Sequence, residues 1–324
     1  MQGRDIVIHV GRQKTGTTSI QRFMAAHSET IAEHDILYPE TGRNDGEQTA
    51  HHQLAVALNP RESDGHDLAE LKKKLDREVL KHPTSLVVLS SEAFQRISDF
   101  SRLETFFADC KPRALCYLRE CMAAKQSSWA QSVHATRQTS DFVSYALRHH
   151  HRYEKMTERW KLFSSQLELA LFDRQQLHHQ DVVADFLWRI GHPSLAEQSV
   201  SLARDAGTPS LGGNLLHIKR IVNIARSHLP NMRGEYRAFA ELAAAEKRWR
   251  GRWHVSPKDV AAIQRVDRAD REFLNKTFEE VRVADLNDAP PMPDAATLKE
   301  DIRTTLQIPV LSGAFDELGL KLVD

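Results

Sequence analysis

Asp5-Ile-Val-Ile-His-Val-Gly-Arg-Gln-Lys-Thr-Gly-Thr-Thr18 begins as a short apolar run, breaks at a glycine and resumes as a helical pattern. The run Asp5–Val10 is β-branched and apolar, the composition of a strand covered on both faces in a parallel sheet. From Thr17 the period changes: Ile20, Phe23, Met24 and Ile31 fall on one helical face at spacings of three, four and seven. Strand, glycine-bearing loop and helix therefore follow one another within one short segment. Outward from it, Ser85–Ser90 and Arg113–Leu118 read as further buried strands, each followed by a helical pattern, and Leu167–Phe172 is a fourth strand candidate. Helices are expected over 51–58, 66–80 and Asp181–Ile190, the last closed by Gly191. Alternation of this kind predicts an α/β fold with a mostly parallel sheet flanked by helices and a helical C-terminal part. One α/β domain is expected over 1–287, with a sheet core over about 5–200 and a helical cover over about 201–287 that shapes an acceptor cleft. A breaker-rich linker at 288–294 and a terminal amphipathic segment would complete 288–324.

Composition narrows the function. The chain has 324 residues, 41% of them hydrophobic, enough for a substantial core. Lys plus Arg number 44 and Asp plus Glu number 44, so no global field draws the protein to nucleic acid or to an anionic membrane. Any anion must be captured locally. The N-terminus shows no charged leader or cleavage site, and no apolar stretch approaches about 18 residues, which reads as a cytoplasmic protein without an integral membrane segment. Cys110, Cys116 and Cys121 have neither CxxC nor His-paired spacing, which argues against a disulfide framework and against a zinc site built on cysteine.

The loop Gly11-Arg-Gln-Lys14-Thr-Gly16-Thr-Thr18 is the strongest chemical signal, and its place between strand and helix matters as much as its letters. Glycines permit the backbone turns that aim successive N–H groups at one anion. Hydroxyls of Thr15, Thr17 and Thr18 add donors, and the helix N-terminus adds partial positive charge. Lys14 adds a full charge where a bridging oxygen gains negative charge during group transfer. The nucleoside-triphosphate loop G-x-x-x-x-G-K-[ST] shares the spacing of Gly11 and Gly16 but needs lysine at position 17, where threonine stands. No strand leads into an aspartate suited to magnesium: 86–89 runs into Ser-Ser-Glu and 114–118 into Arg119. A magnesium-dependent small-molecule kinase is the weaker alternative, and a non-catalytic nucleotide-binding protein is another.

The segment Ile8-His-Val-Gly-Arg-Gln-Lys-Thr-Gly-Thr-Thr-Ser-Ile-Gln21 resembles the 5'-phosphosulfate loop of sulfotransferases that use 3'-phosphoadenosine 5'-phosphosulfate (PAPS), in the bacterial form with K-T-G-T-T. Those enzymes also carry an Arg at the end of a later strand and a Ser eight residues on. Here Arg119 and Ser127 keep that spacing in CYLRECMAAKQSSW. The resemblance implies a P-loop-like sulfotransferase architecture, with PAPS as co-substrate and no metal. It implies cofactor binding by Arg12, Gln13, Lys14, Thr15, Gly16, Thr17 and Thr18 at the 5' end, and by Arg119 and Ser127 at the 3'-phosphate. A guanidinium can clamp a phosphate bidentately. A hydroxyl eight residues on lies about 12 Å further along a helix, so the helix must fold back across the ligand. Ser19 stands where better-known branches have an aromatic residue, and no R-K-G-x-x-G segment occurs near the C-terminus, which leaves the other 3'-phosphate ligands unassigned.

Two residues compete for the role of base. Glu92, after the second long strand, matches the position where some carbohydrate-acting branches carry a catalytic glutamate; as a plain structural residue it would cap the helix at Ala93 or pair with Arg96. His52 can accept a proton near neutral pH as a neutral imidazole. His149-His-His151 suggests metal only superficially, because consecutive helical residues point apart. The stretch Lys247-Arg-Trp-Arg-Gly-Arg-Trp253 reads either as a contact for an anionic acceptor or as a charged helix end with its tryptophans in the core. The implied activity is in-line transfer of the sulfuryl group to an acceptor hydroxyl, with a carbohydrate or a lipid as the candidate acceptors and with Lys14 and either Glu92 or His52 as catalytic residues.

Overall fold

The computed structural model describes residues 3–43, 49–62, 65, 67–136, 138–202, 211–226, 235–249, 255–283, 295–317 and 319. In chain order the elements are β1 Asp5–Val10, α1 Thr17–Ala26, α2 Ser28–Glu33, β2 Ile36–Leu37, α3 His52–Leu58, α4 Leu68–Lys81, β3 Leu86–Ser91, α5 Ser101–Phe106, β4 Arg113–Leu118, α6 Cys121–Ala135, α7 Phe142–Arg148 and α8 Tyr153–Phe163. They continue as β5 Leu167–Leu171, α9 Val182–Arg189, α10 Pro193–Ser199, α11 Gly213–Ala225, α12 Glu235–Ala245, α13 Pro257–Val266, α14 Arg268–Thr277, α15 Ala295–Leu306 and α16 Pro309–Glu317. The fold is α/β. Among the described residues five parallel strands form one sheet in the order β2-β3-β1-β4-β5, and the other regular elements are helices.

Two compact units make up the chain. The first comprises 1–120, 152–205 and 273–282 and holds the sheet. Val7, Val88, Leu115 and Tyr117 from its strands meet Ile20, Phe23 and Met24 of α1 and Phe186 and Leu187 of α9 in one buried cluster. A second group of rings, Phe94, Phe100, Trp160 and Phe163, meets edge-on or stacked. The helical pattern from Thr17 does not run unbroken to Ile31. His27 leaves the helical basin (φ −113°, ψ 35°), and the chain restarts as α2. The two-residue edge strand β2 is too short to leave a periodic signal.

The second unit comprises 121–151, 206–272 and 283–324. Its core joins Trp129 and Val133 of α6, Phe142 and Tyr145 of α7, Leu215 and Val222 of α11 and Phe239 of α12 with Trp249, Leu311 and Phe315. Helices α11, α12 and α13 thus bury apolar residues in the core of this unit. The expected terminal segment 295–320 contains two helices, α15 and α16; Leu298, Ile302 and Leu306 of α15 and Ile308 between the helices pack on that core. The expected linker 288–294 lies outside the described residues. In this unit Lys125 forms a fully buried ion pair with Asp267 and also donates to the Ala146 carbonyl at 2.7 Å.

Topology positions the site. The chain leaves β1 towards β3 and β2 and returns across it to β4 and β5, so the order reverses beside β1. In open parallel sheets ligands bind in the crevice at such a point, outside the carboxyl ends of the strands. The loop 11–16 emerges there. Register then places Glu92 beside it: Val10 pairs with Ser91, and the Gly11 N–H donates to the Ser91 carbonyl at 3.1 Å.

Candidate functional site: an anion loop beside a histidine–glutamate pair

Two glycines shape the loop for different reasons. A Cβ on Gly11 would stand 2.7 Å from the Thr17 methyl and 3.0 Å from the Glu92 nitrogen, so only glycine lets the loop pass the end of β3. Gly16 adopts a left-handed conformation (φ 76°), and its Cβ would fall 2.8 Å from Val182 Cγ1 and 2.9 Å from Phe172 Cε2. Gly16→Ala therefore combines backbone strain with overpacking. It should lower the unfolding free energy by about 2–4 kcal/mol, seen as a lower urea midpoint at unchanged m-value. Unchanged stability would mean that the loop can shift away from Val182 and Phe172.

Thr15 and Thr17 are buried, and both hydroxyls donate to the Arg12 carbonyl, at 2.8 and 3.1 Å. They hold the loop's shape, where sequence reasoning expected them to face an anion. Thr18 and Gln13 are exposed. Helix α1 opens on Gly16 with no side-chain cap and no acidic residue in its first turn. Its first backbone returns to Gly16 come from Ser19 and Ile20, and the N–H groups of Thr17 and Thr18 meet no acceptor among the described residues. Donors left open at a helix N-terminus suit an anion.

Cations surround these donors. Lys14, itself in the left-handed region (φ 68°), is half-buried, and burial together with the Arg119 charge pushes its ammonium below the usual lysine range. An anion between them would relieve both effects. Arg119, at the end of β4, donates to the Lys14 carbonyl at 2.8 Å and lies over the Phe172 ring at 5.3 Å. Tyr153 at the start of α8 donates its hydroxyl to the Arg119 carbonyl at 2.7 Å and carries the Arg12 guanidinium over its ring at 4.8 Å. The sequence separates Arg119 and Tyr153 widely from Arg12 and Lys14, yet all four meet around one loop.

The two rival bases are neighbours: His52 Nε2 lies 3.7 Å from Glu92 Oε2, with side chains 40% and 23% exposed. His52 Nδ1 sits 2.6 Å from the Ser91 hydroxyl, which also accepts the Ala93 N–H and so caps the turn 92–96. Neither structural alternative for Glu92 is found, since Ser91 is the cap and Arg96 pairs with Glu62 at 3.1 Å. Buried Gln21 of α1 donates to both Glu92 Oε2 and Ser90 Oγ at 3.2 Å, and the Ser90 hydroxyl lies 2.8 Å from His9 Nδ1. Burial pushes His9 down to about 3, so it stays neutral. His51 is also pushed down to about 3, by burial and then by Arg43. Its Nδ1 accepts the Ser90 N–H, which leaves Nε2–H to donate to the Pro39 carbonyl. Of the adjacent histidines, His51 is structural and His52 faces the carboxylate.

Gln21, Ser91 and Tyr153 were not foreseen. A polar residue three before Met24 on the buried face of α1 was the signal for Gln21; Tyr153 offered none, because its role depends on where α8 docks. Ser127 stands half-buried on α6, in the second unit, and its part rests on its spacing from Arg119. His149 stacks on Tyr145 at 4.4 Å. His151 reaches the Cys121 carbonyl with its ring and Asp270 with its N–H, so this histidine run converges on no ion. Trp249 is buried in the second core and Arg248 pairs with Glu246 and Asp301, while 250–253 lies outside the described residues. Among the described residues no helix is long and apolar enough to cross a membrane.

No family model matches the sequence, and no curated protein matches it. A solved structure of a sulfotransferase from Alicyclobacillus acidocaldarius is similar with a TM-score of 0.39 and 17% identity, over 81% of this chain and 95% of that one.

Proposed function

We propose that this protein transfers the sulfuryl group of PAPS to an acceptor hydroxyl. The observation that supports this most is the uncapped start of α1 behind the left-handed Lys14–Gly16 turn, with Arg119 against the same loop. These groups would hold the 5'-phosphate, and the spacing of Arg119 and Ser127 would select a nucleotide with a 3'-phosphate. The His52–Glu92 pair takes the acceptor proton as the acceptor oxygen attacks sulfur. The bond from sulfur to the bridging phosphate oxygen breaks in line, and its electrons remain on the 5'-phosphate, where Lys14 and the helix N–H groups stabilise them. Carbohydrate and lipid headgroup hydroxyls are the acceptors to screen first.

Thermal denaturation with 3',5'-bisphosphoadenosine, against ADP and ATP with magnesium, tests this reading. At about 100 times its dissociation constant the bisphosphate should stabilise the protein by about 2.7 kcal/mol, and Lys14→Ala and Arg119→Ala should each remove the effect. Preference for ATP with magnesium would replace this reading with a kinase. No response to any nucleotide would make the loop a structural cap.

A further inference from the structure

We propose that His178, His179 and Glu197 form a three-ligand site for one zinc ion, with the fourth position left to water, apart from the anion loop and independent of the reaction assigned to it. The two histidines occupy the short 3₁₀ turn His178–Gln180 between β5 and α9, and Glu197 projects from α10. Among the described residues, one ligand atom from each of the three lies within 4.8 Å of the others. His179 Nε2 and Glu197 Oε1 are 3.4 Å apart. Two ligands held tetrahedrally at about 2.0–2.2 Å from zinc are themselves separated by about 3.4 Å, so this pair already has the required spacing.

Three further observations set this group apart from an incidental surface ion pair. His178 is oriented from both sides: its ring stacks on Trp188 at 5.5 Å and 17°, and its backbone N–H donates to Asp185 Oδ1 at 3.0 Å. Its Nε2 is shielded from solvent without a hydrogen-bond partner, a cost that a ring offering its other nitrogen to water would not remove. The turn is also held in an unfavourable backbone conformation, with His179 at φ 52° and Gln180 at φ 55°, where side chains are seldom found. The two imidazoles stand next to each other in that turn, their ring centroids 4.3 Å apart. Two imidazoles and a carboxylate are the donor set of zinc and not of magnesium, which prefers oxygen alone.

The consequence is local and mechanical. The turn runs directly into Asp181, which caps α9 by accepting the Val183 and Ala184 N–H groups, and then into Val182, the residue against Gly16. A cation joining 178–179 to α10 therefore stiffens the wall on which the anion loop rests. This role needs no contact with a reacting group.

The test uses the full chain, stripped with a chelator and desalted, then titrated with zinc chloride in competition with a chromophoric chelator. Wild type should bind one equivalent that magnesium does not displace. His179→Ala and Glu197→Gln should each lose it, and His150→Ala, at an exposed histidine elsewhere, should keep it. Glu197 is largely exposed and His179 partly so, and the variants should fold, which circular dichroism would verify. Zinc should also raise the Tm of wild type and of His150→Ala but not of the two ligand variants. Zero equivalents in wild type, or an equivalent that survives both ligand substitutions, would overturn the site.

Discussion

Lys14→Ala should lower kcat for sulfuryl transfer by about 10²- to 10³-fold, the usual effect of removing one preorganised donor from a developing oxyanion. The backbone makes this more than an expectation from charge alone. Lys14 sits at φ 68°, a conformation that costs a residue with a side chain about 1–2 kcal/mol and that glycine adopts freely. The loop tolerates that strain, and also a half-buried ammonium held beside Arg119. Neither serves stability, which is what a side chain placed for a bound anion would show. Lys14→Gly provides the control: it should lose as much activity as Lys14→Ala while unfolding at an equal or higher urea concentration. Steady-state rates with PAPS and urea melts of both variants check this. A Lys14→Gly enzyme that keeps wild-type kcat, or that loses activity only in step with stability, would remove Lys14 from the reaction.

How much could be read from residues alone depended on the range of the physics involved. Strands β1, β3 and β4 were legible because burial on both faces leaves short apolar runs, and α9 because Asp181 and Gly191 mark its ends, whereas β5 is an edge strand only partly buried over Leu167–Leu169. The anion loop was legible because its donors are contiguous. What escaped reading depends on register and docking. The pairing of Val10 with Ser91 brings Glu92 to the loop, and nothing local announces it. His52 and Glu92 looked like alternatives because forty positions separate them, whereas the return of the chain at Ala50–His52, with the His51 N–H on the Ser90 carbonyl at 2.8 Å, places them side by side. The threonines of the loop were legible as hydroxyls but not as directions. Thr15 and Thr17 turn inward because the Arg12 carbonyl needs donors once the loop leaves the sheet. The second unit escaped as a unit because its core draws α6 and α7 from the middle of the sheet-forming sequence.

His52→Ala and Glu92→Gln should each reduce the rate by about 10²- to 10⁴-fold, and the double variant should be no slower than the slower single. The geometry motivates the second half of that expectation. At 3.7 Å the imidazole and the carboxylate stand side by side, and the Ser91 hydroxyl at 2.6 Å and the Gln21 amide at 3.2 Å hold the two partners in position. Groups that pass one proton act as a unit, so removing either removes the function of both, and the coupling in a double-mutant cycle should approach the full effect of one substitution. Two independent bases serving different steps would instead give losses that multiply. Gln21→Leu distinguishes positioning from chemistry: it leaves both titratable groups in place, so it should cost less than either, and it should raise the sensitivity of the rate to the acidity of the acceptor hydroxyl. Single-turnover rates with a series of acceptors of graded acidity measure both effects. Multiplicative losses would divide the pair into separate roles, and singles that each retain more than about one hundredth of the rate would move the base elsewhere.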